Sequence, residues 1–298
     1  MLGWLRSVFF PLAKRMKDPL FGEMVYLADA KFWEAVIPQM GYMALLRNLR
    51  NFDDAGISDE KAKWVANRLA DPVEVSKSRQ FPMRFLSAWT ASKSMNWGSA
   101  LERALQASLD NLPSLAGRTL ILIDCSGSMF GGYYSMKGTT HPYQAAGVFG
   151  LALATRAEAA DVYAYGSDHV PLDVRSGSSV LRMVERLSDR GGTDTWGTLN
   201  ATYTGQDRVV ILTDEQSHYG RPGASIKCPV YTFNLVGYDR GWTSGRSRTR
   251  LGGQEVNVSN FMTFGGGLTD ASFRLLHLLE TRGHGSWPWD ENPVVDSV

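Results

Sequence analysis

Cysteine is scarce in this sequence: Cys125 and Cys228 are the only two among 298 residues. Two thiols cannot supply a structural zinc site or a disulfide scaffold. They read as reduced thiols of a cytoplasmic protein. Charge of one sign is also missing. Residues 1–117 carry 15 Lys/Arg against 12 Asp/Glu, and residues 118–298 carry 16 against 18. Neither part is basic enough for charge alone to establish nucleic-acid binding, although the amino-terminal excess permits local basic patches. The opening "MLGWLRSVFFPLAKRMK" lacks a basic leader, and Arg6 and Pro11 interrupt its apolar residues. It is too short to span a membrane and reads as an amphipathic helix packed on its neighbours.

What is present falls into two styles that change at Gly117. Before it, "FGEMVYLADAKFWEAVI", "GYMALLRNLRNF", "DEKAKWVANRLA", "MRFLSAWTASKSM" and "GSALERALQASLDNL" place apolar residues three or four apart, the spacing of amphipathic helices. Ser58 or Asp59 suits an N-cap, Pro82 suits a first helical turn, and Asp71-Pro72 reads as punctuation between segments. Five or six helices with short connections predict a short HEAT-like stack of hairpins. After Gly117, "RTLILID", "RVVILTD" and "CPVYTFNLVG" read as buried strands. "ADVYAYGSDHVPLDV" reads as an edge hairpin. "YQAAGVFGLALATRAEA", "SSVLRMVERLSD" and "LTDASFRLLHLLETR" read as helices. This predicts an α + α/β chain: an all-helical repeat segment over residues 1–116, then a doubly wound, Rossmann-like α/β domain over 117–298.

Ligands of such sheets sit beyond the carboxyl ends of the strands, and polar residues gather there. Asp124 ends one apolar run and opens the pattern Asp124, Ser126, Ser128. "RGGTDTWGTL" places Thr193 in a glycine-rich loop before a helix, and "VVILTDEQS" places Asp214 at another strand end. These are hard oxygen donors with two charges among them. They suit Mg2+, or Mn2+ or Ca2+, with water filling the remaining positions. Enzymatic readings lack their parts. A nucleophile elbow needs glycine two residues before the serine, where this chain has Asp124. The glycine-rich phosphate loop is absent, the second carboxylate of a phosphoaspartyl enzyme is replaced by Ser126, and the five histidines are scattered. Cys125 alternates away from the donors and reads as a small core residue.

The constellation resembles the metal-ion-dependent adhesion site of a von Willebrand factor A domain, with Asp124, Ser126, Ser128, Thr193 and Asp214 in the metal positions. Glu215 stands where many adhesion-type members have glycine. Upstream, "MGYMALLRNLRNF", "RQFPMRFLSAWTAS" and "ALERALQASLDNLPSLAGRTLILIDCSGSM" resemble the Ro autoantigen family, the TROVE module of RNA-binding proteins. The closing "FMTFGGGLTDASFRLLHLL" also resembles that family's end. The resemblance implies a non-enzymatic protein that binds ends or single-stranded parts of small noncoding RNA, Y-RNA-like or misfolded. It also implies that earlier repeats of the full family ring are missing. The arc would then be capped by the amino-terminal segment or, the favoured expectation, closed by association of copies into a ring. The alternative reading is a metal-dependent adhesion module that docks an acidic residue of a protein partner.

Candidate RNA contacts are Arg47 and Arg50, three apart and read as sharing one helix face, and Arg79 and Arg84 around another helix start. Lys14, Arg15 and Lys17 form a further basic cluster. "GYDRGWTSGRSRTRLGGQ", with Arg246 and Arg248 near Trp242, reads as a loop able to stack on and pair with RNA.

Overall fold

The computed structural model describes residues 29–92, 94, 96–131, 140–175, 177–215, 226–236, 248–251, 254–257, 261–265, 268 and 270–282. Among the described residues seven short helices come first: α1 (Ala30–Val36), α2 (Tyr42–Arg47), α3 (Leu49–Ala55), α4 (Asp59–Leu69), α5 (Pro72–Ser78), α6 (Pro82–Ala91) and α7 (Gly98–Ser108). Their limits follow from capping chemistry. The Asp29 carboxylate accepts from the Phe32 N–H, the Ser58 hydroxyl from the Lys61 N–H, and the Asp71 carboxylate from the Val73 N–H. Each satisfies an amide that the first turn leaves without a helical partner. Asp71-Pro72 therefore starts α5 instead of merely separating segments, since proline at the first helical position has no N–H to lose.

The expectation that Arg47 and Arg50 share one helix is corrected at Asn48. Its backbone leaves the helical region, and its side-chain amide donates to the Ala44 carbonyl at 2.7 Å. Such local bonding competes with the helical ladder, so α2 ends there and α3 begins again at Leu49. The helices are tied by buried polar contacts. The Tyr42 hydroxyl donates to the Leu69 carbonyl at 2.7 Å, and the Trp97 indole N–H to Asp53 at 2.8 Å.

The second part is built on β1 (Leu115–Asp124), β2 (Ala157–Tyr165), β3 (His169–Pro171), β4 (Arg208–Thr213), β5 (Val230–Asn234) and β8 (Phe261–Phe264). The strand order is β3-β2-β1-β4-β5-β8, parallel except for the β2–β3 hairpin at the edge. Between them lie helices α8 (Gly127–Phe130), α9 (Pro142–Arg156), α10 (Val180–Glu185) and α11 (Thr195–Thr202), with α12 (Asp270–Arg282) last. β6 (Arg248–Leu251) and β7 (Gln254–Asn257) form a separate antiparallel pair. That hairpin stands where a loop was expected: in its backbone register Thr249 pairs with Val256 and Arg250 with Glu255.

Alternation along β1 divides the core. Ile121 and Ile123 join Val210, Leu212 and Phe233 beneath α9, while Leu120 and Leu122 join Tyr165, Trp196 and Leu199 on the other face. Helix α9 seats directly on the sheet because Gly150 has no Cβ; one would stand 2.9 Å from Ile123 and Leu212 side-chain carbons. The first apolar cluster continues into the seven-helix segment. Phe273 of α12 stacks on Phe149 at 4.1 Å and faces Phe81, ahead of α6, at 6.1 Å. The helical segment and the sheet thus share one core. At the opposite rim from the strand ends, buried Arg208 pairs with Glu280 at 2.7 Å and donates to the Thr119 hydroxyl.

Candidate metal centre and nucleic-acid interface

Strands β1 and β4 run parallel in register, with Ile123 opposite Leu212, so Asp124 and Asp214 emerge at the same rim of the sheet. Both are fully buried. Asp124 is held at both oxygens: Oδ1 accepts the Ser126 N–H at 2.8 Å and Oδ2 accepts the Thr213 hydroxyl at 2.6 Å. The fixed carboxylate shapes the following turn, where the Ser126 and Ser128 hydroxyl oxygens lie 3.3 Å apart. The third loop is stitched onto this edge by its backbone. Arg190 N–H donates to the Cys125 carbonyl, Gly127 N–H to the Gly191 carbonyl and Asp194 N–H to the Gly166 carbonyl. The close approach requires glycine at 166, where a Cβ would meet the Arg190 carbonyl oxygen at 2.6 Å. Arg190 is clamped by Asp168 through two bonds of 2.7 and 2.6 Å. Thr193 lies buried within this docked loop. The structure therefore carries Asp124, Ser126, Ser128, Thr193 and Asp214 on three turns that meet at one rim.

Burial lifts the Asp124 carboxyl to about 6. The hydrogen bonds from Thr213 and Ser126 oppose that rise, and the neighbouring Asp214 charge adds to it. The donor set fits a small hard cation. Adjacent ligands at Mg2+ distances of about 2.1 Å are separated by roughly 3 Å around an octahedron, close to the spacing of the two serine oxygens. Among the described residues no group of three or more His, Cys, Asp or Glu could hold a metal, so an ion at this rim would depend on hydroxyls. Cys125 is buried and its thiol is pushed up to about 12 by that burial, as befits a core residue. Glu215 is buried and adopts φ 64°, the left-handed backbone that favours glycine. Its N–H donates to Thr213 Oγ1 at 3.0 Å.

A measurable consequence follows from Asp124. Its folded value lies above the unfolded value of about 3.9, so the folded state binds the extra proton. The resulting stability is present below about pH 4 and is lost as pH rises through about 6. Between about pH 5 and pH 7.5 the metal-free protein should lose about 1 kcal/mol on account of this group. Thermal melts in chelator should show the loss, Mg2+ should reverse it, and Asp124→Asn should lack it.

On the helical segment, Arg47 and Arg50 line one cleft with Arg84 despite the break at Asn48. The cleft encloses about 370 Å³. Met43, Leu46 and Leu49 give it an apolar floor, and Ser87, Ala88 and Ala91 continue along α6. All three arginines are exposed. Arg50 also pairs with Asp54 at 3.6 Å, an exposed ion pair of little energetic weight. Arg79 stands elsewhere, capping α5 with φ 53°. Arg248 opens β6, while its side chain and all of Arg246 lie outside the described residues, as do Lys14, Arg15, Lys17 and Trp242. Sequence reasoning missed Thr213, the hydroxyl that fixes Asp124. Its signal was present as the threonine directly preceding the strand-end aspartate.

Comparisons with known proteins agree with this architecture. Residues 24–99 match the family model described as TROVE domain. A stretch of 61 residues is 44% identical to telomerase protein component 1 of Rattus norvegicus, covering 20% of this chain and 2% of that protein. The Mus musculus protein of the same name matches to the same extent. The crystal structure of the Ro (Rsr) protein of Deinococcus radiodurans superposes with a TM-score of 0.66 at 17% identity, over 86% of this chain and 56% of that one. The chain thus resembles a TROVE domain over residues 24–99 and shares the fold of the Deinococcus protein, a helical segment followed by an α/β sheet, and it spans only part of the length of these relatives. Among the described residues no helix is long and apolar enough to cross a membrane.

Proposed function

We propose that this protein binds unpaired or terminal segments of small noncoding or misfolded RNA without catalysing a reaction, and that its α/β part is a von Willebrand factor A domain holding Mg2+ or a similar hard cation. The observation that carries the RNA reading is the convergence of Arg47, Arg50 and Arg84 on one apolar-floored cleft inside the TROVE-matched residues. Guanidinium groups neutralise phosphates, and an apolar floor accepts what a duplex keeps stacked inside. In the proposed cation site, Asp124 and Asp214 would supply charge, Ser126, Ser128 and Thr193 neutral oxygens, and the ion an open position for an external oxygen donor.

Self-association into a ring belongs to the same reading. Phe32, Trp64 and Val73 are 47%, 41% and 56% exposed on α1, α4 and α5, apolar area that a second copy would cover. A cytoplasmic location accords with two buried free thiols. The test is a gel shift with labelled single-stranded and duplex RNA at low salt, alongside solution mass with and without nuclease. Binding that favours the single strand and weakens steeply with salt is expected; no binding to either at low salt refutes the reading.

The alternative, docking of an acidic residue of a protein partner at the ion, is favoured by a proposed donor set in which three hydroxyls stand beside two carboxylates, Asp124 and Asp214. Under that reading Asp124→Ala abolishes protein docking and leaves RNA binding intact.

A further inference from the structure

We propose that Phe130, Tyr143 and His141 form a stacking seat for an unpaired base of the strand whose phosphates occupy the arginine cleft, so that one ligand track crosses from the helical segment onto the rim of the sheet. This rests on the RNA reading above and extends it to residues outside the TROVE match.

Phe130 ends α8, two residues beyond Ser128, and Tyr143 lies in the first turn of α9. Their rings stack with centroids 4.0 Å apart and an interplanar angle of 12°. His141, which caps α9, lies nearly parallel to Tyr143 at 6.0 Å and 23°. All three are half-buried. Core pairs adopt both arrangements, edge to face in Trp33–Phe52 at 74° and stacked in Phe149–Phe273 at 23°; what sets Phe130 and Tyr143 apart is their partial exposure. A nucleobase seated on this half-exposed group would continue its stack.

The seat adjoins the cleft through a seam between the two parts. Arg84, Ser87, Ala88 and Ala91 follow one face of α6, in the i, i+3, i+4, i+7 pattern. Beside them, Thr90 hydrogen-bonds the Thr140 hydroxyl at 3.0 Å, and Thr140 directly precedes His141. A strand leaving the arginines along α6 would reach the Thr90–Thr140 seam, one residue from His141. The chemistry assigns different work to the two ends. Arginines bind the phosphates of paired and unpaired strands alike, whereas stacking on a side chain requires a base freed from its own helix. The rings would thus confer the preference for unpaired RNA.

Fluorescence polarisation with a labelled short oligoadenylate and an abasic strand of the same length tests the proposal. Tyr143→Leu and Phe130→Leu keep apolar bulk between α8 and α9 while removing the aromatic face. Each should weaken oligoadenylate binding about 10-fold with an unchanged salt slope. Wild-type protein should bind the abasic strand more weakly by a similar factor, and Tyr143→Leu should not weaken it further. Arg84→Ala should weaken both strands. If both leucine variants bind oligoadenylate as the wild type does while Arg84→Ala is impaired, the seat is refuted and RNA binding stands. If the wild type binds neither strand at low salt, the RNA reading falls with it. Should the leucine variants fail to fold, equal wild-type affinity for the two strands refutes the seat.

Discussion

Asparagine in place of Asp124 should lower divalent-ion affinity at least about 100-fold while leaving the fold intact. Removing a partner that only orients a ligand costs 10- to 100-fold in many metal sites, and Asp124 would itself be one of only two charged ligands. Asparagine preserves the shape of the interaction. Its carbonyl can accept from the Ser126 N–H in place of Oδ1, and its amide faces the Thr213 hydroxyl that now donates to Oδ2. The hydroxyl must then rotate to accept, which it can do at small cost. The variant also removes a charge whose burial is unfavourable, as its rise to about 6 records. The metal-free variant should therefore melt at or above the wild-type temperature near pH 7.5, and Mg2+ should no longer raise it. Titration calorimetry with Mg2+ and paired melts measure both. Wild-type ion affinity in the variant would show that the strand-end oxygens do not form the centre. RNA binding should survive, because the arginine cleft lies on other elements.

The second large effect belongs to the cleft. Changing Arg47, Arg50 and Arg84 together to alanine should reduce single-stranded RNA affinity and flatten its salt dependence. Each phosphate contact on a single strand contributes about 0.7 to the slope of log affinity against log salt, so three lost contacts should lower it by about 2. Stability should hardly change, since the side chains are exposed and the Arg50–Asp54 pair contributes little. Arg79→Ala, on a residue outside the cleft, should leave the slope as it is. An unchanged slope in the triple variant would place the phosphates elsewhere.

Much of this architecture was legible in the residues. β1 and β4 announce themselves as unbroken branched-apolar runs ending in aspartate, and the helices at Asp59 and Pro82 start at their capping signals. The order of Asp124, Thr193 and Asp214 in the chain foretold a common rim because parallel strands present the same ends to the same side. Other features were legible only in part. Asp71-Pro72 is equally a turn signal and a helix start, and which it becomes depends on Val75, whose burial holds α5 in the core. β8 is short, and its neighbour β5 lies distant in sequence, so pairing rather than pattern defines it.

The sequence by itself determined the helical and strand periods and the oxygen donors at the strand ends, because these depend on neighbouring residues and on local capping; the first strand begins at Leu115, two residues ahead of the expected change at Gly117. Only the tertiary structure decided that Arg84 joins Arg47 and Arg50 while Arg79 turns away, that Thr213 fixes Asp124, and that Thr90 meets Thr140 across the seam. Those contacts are made between elements 30 to 90 residues apart by packing around one shared core, and no local pattern encodes which faces that packing brings together.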